Sequence, residues 1–222
     1  MRFFLRRFLI WSVAFLATSV CAEERIISLA PHITELLFAV GAGEEVVGVM
    51  NYSNYPEAAS SIPVIGNNEK LNYEQIVSLK PTLVVGWDGG NSSDAMDRLR
   101  TLGLRVESHD PHTLADVGES LRWAGAISGH DAGGEAAAKS YFERLEYLRE
   151  TYSNDTELTV YYQIWHEPQM TVKRQHLISD VISLCGGRNI FADAVPLVPR
   201  VSMEAVLQRN PDVIVMAGTP GN

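Results

Sequence analysis

Aromatic and polar side chains suited to holding a flat ligand fall just after short β-branched runs. Tyr52 lies in Asn51-Tyr52-Ser53-Asn54-Tyr55-Pro56, Trp87 in Trp87-Asp88-Gly89-Gly90-Asn91, and Trp165 with His166 in Trp165-His166-Glu167-Pro168. Indole and phenol faces offer a large contact area at little conformational cost, and burying one contributes on the order of a few kcal/mol. The chemistry they suggest is non-covalent capture of a large, flat, apolar molecule, with Pro31, His32 and Asn91 at its rim. The plain alternative is that the rings cap hydrophobic cores. Gly89 and Gly90 either admit a closely approaching ligand or form a simple turn.

His32, His109, His112 and His166 also fall at predicted strand ends, as a metal or haem site would require. No His-rich loop and no Cys/His cluster with metal spacing accompanies them, and the proline loop His109-Asp110-Pro111-His112 does not enforce ligand geometry. We therefore expect no resident metal and read these side chains as polar edge contacts. The chain contains no G-x-S-x-G elbow, P-loop or H-E-x-x-H, and Gly41-Ala42-Gly43 is an incomplete dinucleotide fingerprint. His166-Glu167 has no nucleophile marked out beside it, so no catalytic residue and no catalytic cofactor is expected.

Strands are predicted at Arg25 to Leu29, Val46 to Val49, Thr82 to Gly86, Arg105 to Ser108, Thr159 to Ile164 and Asp212 to Met216. Unbroken apolar runs such as Leu83-Val84-Val85 suit strands covered on both faces, and their alternation with helical patterns predicts an α/β fold with parallel sheets. Ligands of such sheets sit beyond the carboxyl ends of the strands, where the aromatic residues above fall. Between the fourth and fifth strands, residues 113–155 form a helical connector broken near Gly129 to Gly134. Its second half places Ala138, Phe142, Leu145 and Leu148 at helical spacing. Periodicity alone fits either a rigid spacer between two lobes or an ordinary crossover helix.

An internal repeat favours two lobes. Leu71 to Val85 aligns without gaps on Val201 to Val215, each copy reading cap, helix, proline, strand. Asn72 and Ser202 are good N-caps, and Pro81 and Pro211 end the helices. Glu74 and Glu204 occupy the same first-turn position, where an acid complements the helix dipole without needing a partner. The expected organisation is residues 1–22 as a signal peptide, 23–112 as an N-terminal α/β lobe, 113–155 as the connector and 156–222 as a C-terminal α/β lobe.

The leader reading rests on Arg2, Arg6 and Arg7 ahead of an apolar stretch from Phe8 to Val20 and small residues up to Ala22. It predicts export as a soluble chain of about 200 residues. The formal net charge is −9, and loss of the basic leader makes the mature chain more acidic still. Such a field repels phosphate backbones and anionic lipid surfaces, which argues against nucleic acid or membrane-surface binding. With Cys21 lost in the leader, Cys185 is left as a lone thiol, either missing a partner or buried as a small apolar group.

Four runs, taken in order and with their spacing, carry a family resemblance: Ser28 to Leu36, Tyr52 to Pro56, Trp87 to Asn91, and Cys185-Gly186-Gly187-Arg188-Asn189-Ile190-Phe191. From about Arg25 onward the chain resembles the periplasmic cobalamin (vitamin B12)-binding proteins of bacterial ABC importers, of the helical-backbone class. The resemblance implies two Rossmann-like lobes joined by one long helix, a monomer, and a corrinoid held between the lobes by aromatic side chains. It implies further partners, an inner-membrane ABC permease with its ATPase, and a docking role for Glu74 and Glu204 on that permease. Related receptors for haem and ferric siderophores share the opening Ser-x-x-Pro-x-x-Thr-Glu pattern, so these ligands are the alternative. The resemblance also implies more strand and helix after Asn222, with a cysteine to pair with Cys185. The second lobe is accordingly expected to be incomplete, with exposed apolar sheet edges.

Overall fold

A computed structural model describes residues 24–152 and 157–217. The predicted leader, Cys21 included, and the last residues, Gly221-Asn222, lie outside the described residues. Ile26, Ile27, Leu83, Val84 and Val85 are wholly buried, the pattern of strands covered on both faces. They belong to a five-stranded parallel sheet of order β3-β2-β1-β4-β5. Its strands are β1 (Ile26–Ser28), β2 (Val46–Met50), β3 (Val64–Gly66), β4 (Leu83–Trp87) and β5 (Val106–His109). One face packs on α1 (Pro31–Ala39) and the other on α2 (Tyr73–Ser78) and α3 (Ser93–Thr101).

The connector is two helices, α4 (Leu114–Ser128) and α5 (Asp131–Tyr152). Thr113 caps α4 in a reciprocal capping box with Asp116, and Gly129, in the left-handed region at φ 77°, ends it. The chain then doubles back, with Arg122 bonded to Glu135 and Gly125 against Gly134. Leu121 and Ala124 of α4 join α1 on the first sheet, and Ala138 of α5 packs into the same core. The 22 residues of α5 make it the long backbone helix, about 33 Å at 1.5 Å per residue.

Beyond it, β6 (Leu158–Gln163) is the centre of a second parallel sheet. A short antiparallel hairpin follows, β7 (Trp165–His166) and β8 (Gln169–Met170), then α6 (Leu177–Leu184), β9 (Gly187–Asn189), α7 (Met203–Arg209) and β10 (Val213–Met216). The order β10-β6-β9 matches β4-β1-β2. The sequence repeat is thereby a repeat of structure. Asn72 accepts a hydrogen bond from the Gln75 N–H at 3.1 Å, and Ser202 one from Ala205 at 3.2 Å. The two lobes differ at one edge. Among the described residues nothing pairs with the outer side of β10, and Ile214 and Met216 are 59% and 66% exposed where Val84 of β4 is 0%.

Candidate ligand-binding cleft

The motif residues of the first lobe fix its loops before any ligand is considered. Ser28 donates to the Ala30 carbonyl at 3.0 Å, and Thr34 donates to Ser28 at 2.8 Å and reaches Ser53 at 3.3 Å. All three hydroxyls are buried, and each finds a partner there. The network ties the β1–α1 corner to the loop that carries Tyr52. Tyr52 adopts a left-handed φ of 69°, its N–H donates to Asn51 Oδ1 at 3.1 Å, and the residue is 79% exposed. A bulky residue in that region is strained, as is common at ligand-binding loops.

Trp87 ends β4, and its ring is held on several sides. The indole N–H donates to Asp110 Oδ1 at 2.8 Å, and the His32 ring meets it edge-on with centroids 5.1 Å apart and planes at 89°. Asn91 accepts the Trp87 backbone N–H at 2.7 Å and donates to the Leu29 carbonyl at 2.9 Å, so its amide brackets the loop onto β1. Burial lowers the pKa of His32 below its ordinary value, opposed by Asp110 and reinforced by His109. At neutral pH the imidazole is therefore uncharged, in keeping with an apolar wall.

His32 and Trp87 form one end of a cavity of about 570 Å³. Leu36 of α1, Leu121 of α4, Tyr141 of α5 and Leu177 of α6 supply its other walls, so both lobes and the connector contribute. Its size and its mostly apolar lining fall within the usual range of small-molecule sites. Two contacts fix the walls: Tyr141 donates to the Leu114 carbonyl at 2.9 Å, and the Leu114 N–H donates to Asp180 Oδ2 of α6 at 3.0 Å. A larger hollow of about 840 Å³ lies beside Asn67, Lys70 and Glu74. Its lining is more polar than that of the aromatic cavity, and the face of its one aromatic ring, Tyr73, is covered by Arg98. The aromatic cavity is the better match to a flat apolar ligand.

A family model described as periplasmic binding protein matches residues 26–222. The chain belongs to the periplasmic binding protein family. Within that family, the vitamin B12-binding protein of Vibrio cholerae serotype O1 (strain ATCC 39541 / Classical Ogawa 395 / O395) is 38% identical over 191 residues, 86% of this chain and 69% of the relative. The vitamin B12-binding protein of Yersinia pestis (strain Pestoides F) is 36% identical over 207 residues, 93% of this chain and 74% of the relative. Among solved structures, the periplasmic vitamin B12 binding protein BtuF of Vibrio cholerae superposes with a TM-score of 0.80 at 38% identity. That match covers 87% of this chain and 76% of the other. The periplasmic heme-binding protein RhuT from Roseiflexus sp. RS-1 reaches the same TM-score of 0.80 and the same coverage at 29% identity. The two-lobed α/β fold expected from the sequence is the fold of this family.

In this periplasmic binding protein the candidate residues fall into two groups. His32 and Trp87 meet at the cavity, Pro31 opens α1 beside them, and Asn91 holds their loop. Tyr52 stands on the first lobe's rim, and Trp165 with His166 on the exposed β7–β8 hairpin, where the Trp165 N–H donates to the Glu167 carbonyl at 3.0 Å. None of these three is among the residues lining the cavity. Glu74 and Glu204 are exposed in the first turns of α2 and α7, in equivalent places. Cys185 is free and exposed, beside an apolar hollow floored by Val160, Val213 and Val215. Among the described residues no group of three or more His, Cys, Asp or Glu side chains has metal-site geometry, and no helix is long and apolar enough to cross a membrane. Sequence reasoning missed Tyr141 and Leu177, which come from helix faces rather than strand ends.

Proposed function

We propose that this chain is the periplasmic substrate-binding component of an ABC importer and that it captures cobalamin or a related corrinoid. The observation that carries this reading is the apolar cavity ending on the Trp87 indole, in a chain 38% identical to a vitamin B12-binding protein. Trp87, Tyr52 and Trp165 supply aromatic faces to the macrocycle, and Pro31, His32, Asn91 and His166 meet its polar edge. The chain acts by binding and carries out no chemical step. It is exported through residues 1–22, works as a monomer, and is divided at about residues 113 and 155 as the sequence suggests. Glu74 and Glu204 dock the loaded chain onto an inner-membrane permease driven by its ATPase. Their equivalent positions on the two lobes support that role.

Haem is the second reading, favoured by the equal structural similarity to a heme-binding protein and by the uncharged His32 at the cavity wall. Tryptophan fluorescence titration separates the two. Quenching by micromolar cyanocobalamin, with hemin much weaker, is the expected result; quenching by hemin alone would replace the corrinoid with haem.

A further inference from the structure

We propose that Asp110 is a positioning residue for ligand capture, fixing the orientation of the Trp87 indole, which on the reading above is the platform for the corrinoid. Trp87 is opposite His109 in the β4–β5 register, so Asp110 is the first residue past the paired strands. Its placement comes from the sheet rather than from a free loop. Asp110 Oδ1 accepts the indole N–H at 2.8 Å while Oδ2 lies 3.3 Å from His112 Nε2, so the carboxylate is itself oriented. The side chain is 28% exposed, a partly sheltered setting in which a charge-assisted hydrogen bond keeps more of its strength.

Steric walls complete the clamp. A Cβ built on Gly90 would lie 2.1 Å from Cζ3 of Trp87, and one on Gly89 would lie 2.6 Å from both Trp87 Nε1 and Asp110 Oδ1. The indole thus packs directly against the Gly89-Gly90 turn, and only glycine allows it there. The last side-chain torsion of tryptophan has broad, roughly two-fold minima, so packing alone leaves a flipped ring open. A hydrogen bond to the one polar atom of the indole removes that freedom. Asp110 is not among the residues lining the cavity, although Pro111 is, which places its action on the ring and not on the ligand. An anchored platform does not have to be ordered when the ligand arrives, and that saving appears as affinity.

The experiment has an arm without ligand and an arm with it. In protein labelled with 5-fluorotryptophan, the Trp87 fluorine resonance is assigned by its loss in Trp87→Phe. Asp110→Leu should shift or broaden it while the Trp165 line stays put, and Asp110→Asn, which keeps an acceptor, should return it to near its wild-type position. Gly90→Ala should disturb the same line without touching Asp110. In cyanocobalamin titrations Asp110→Leu should weaken binding about tenfold, the scale of one lost hydrogen bond to a charged group, and Asp110→Asn should recover most of that loss. In a Trp87→Ala background, Asp110→Leu should add almost nothing. An unchanged Trp87 line in Asp110→Leu overturns the proposal, as does an affinity loss that persists without Trp87 or is equal in the Asn variant. If wild-type protein ignores cyanocobalamin, the corrinoid reading fails, and the fluorine line still decides whether Asp110 sets the ring.

Discussion

Gly133→Ala tests how tightly the long helix is seated on the first lobe. Gly133 lies in the first turn of α5, and a Cβ there would sit 2.0 Å from the Val40 carbonyl oxygen and 3.0 Å from its carbon. Carbon and oxygen approach to about 3.3 Å even in close backbone contacts, so more than about 1 Å must be opened between two helices. The obstacle is backbone, which cannot rotate aside. Overpacking of this kind costs about 1–3 kcal/mol, and the better helix propensity of alanine returns about 0.5–1 kcal/mol. A net loss near 1–2 kcal/mol lowers Tm by about 2–8 °C in a chain of this size. Gly43→Ala serves as the control, because the atoms nearest its Cβ would be those of the Phe38 ring, at 2.4 Å, and a side chain can turn away. Thermal unfolding followed by circular dichroism makes the comparison. A Gly133→Ala protein melting within about 1 °C of wild type would refute the reasoning. Because α5 also carries Tyr141 to the cavity, the same variant should bind cyanocobalamin more weakly than Gly43→Ala does.

Acid should weaken the fold through its histidines. Burial lowers the pKa of His32 and of His176, the latter also through the charge of His112. The unfolded chain then takes up the proton first, so the stability these groups provide is complete above about pH 6.5 and is lost as pH falls through their folded values. His32→Gln should flatten the acid limb of stability in urea titrations between pH 7.5 and 5, and limbs identical to wild type would contradict this. Replacing Glu74 and Glu204 together by alanine should abolish uptake in vesicles holding the permease yet leave cyanocobalamin affinity unchanged; a fall in affinity would defeat the docking role.

The long strands were legible as unbroken apolar runs: Leu83 to Val85 are wholly buried as such a run predicts, whereas Val213 to Val215 form a strand but stay exposed among the described residues. β3 and β9 were not, since each has three residues, and Gly187-Arg188-Asn189 has no apolar side chain at all. The hairpin of connector helices follows from Gly129, which sits in the region read as a break, but the direction of the turn depends on packing between Gly125 and Gly134. At the site, Trp87 was legible because it follows a buried strand. Its bond to Asp110 was not, because it depends on a β4–β5 register that no local pattern encodes. Tyr141 and Leu177 lie on amphipathic helices, where an inward aromatic or leucine is indistinguishable from ordinary core.

The repeat described above also has a consequence for valency. Two copies of one capped helix, each with a glutamate in its first turn, occur one in each lobe, before and after α5 along the chain. For a partner with two matching cationic sites, such a chain is a bivalent ligand. Each exposed ion pair alone contributes under about 1 kcal/mol. Once the first has formed, the second is made within one complex, at an effective concentration set by the span between the lobes. Avidity of that kind is sensitive to distance, so under the docking role proposed above a displaced α5 would weaken docking without altering either glutamate.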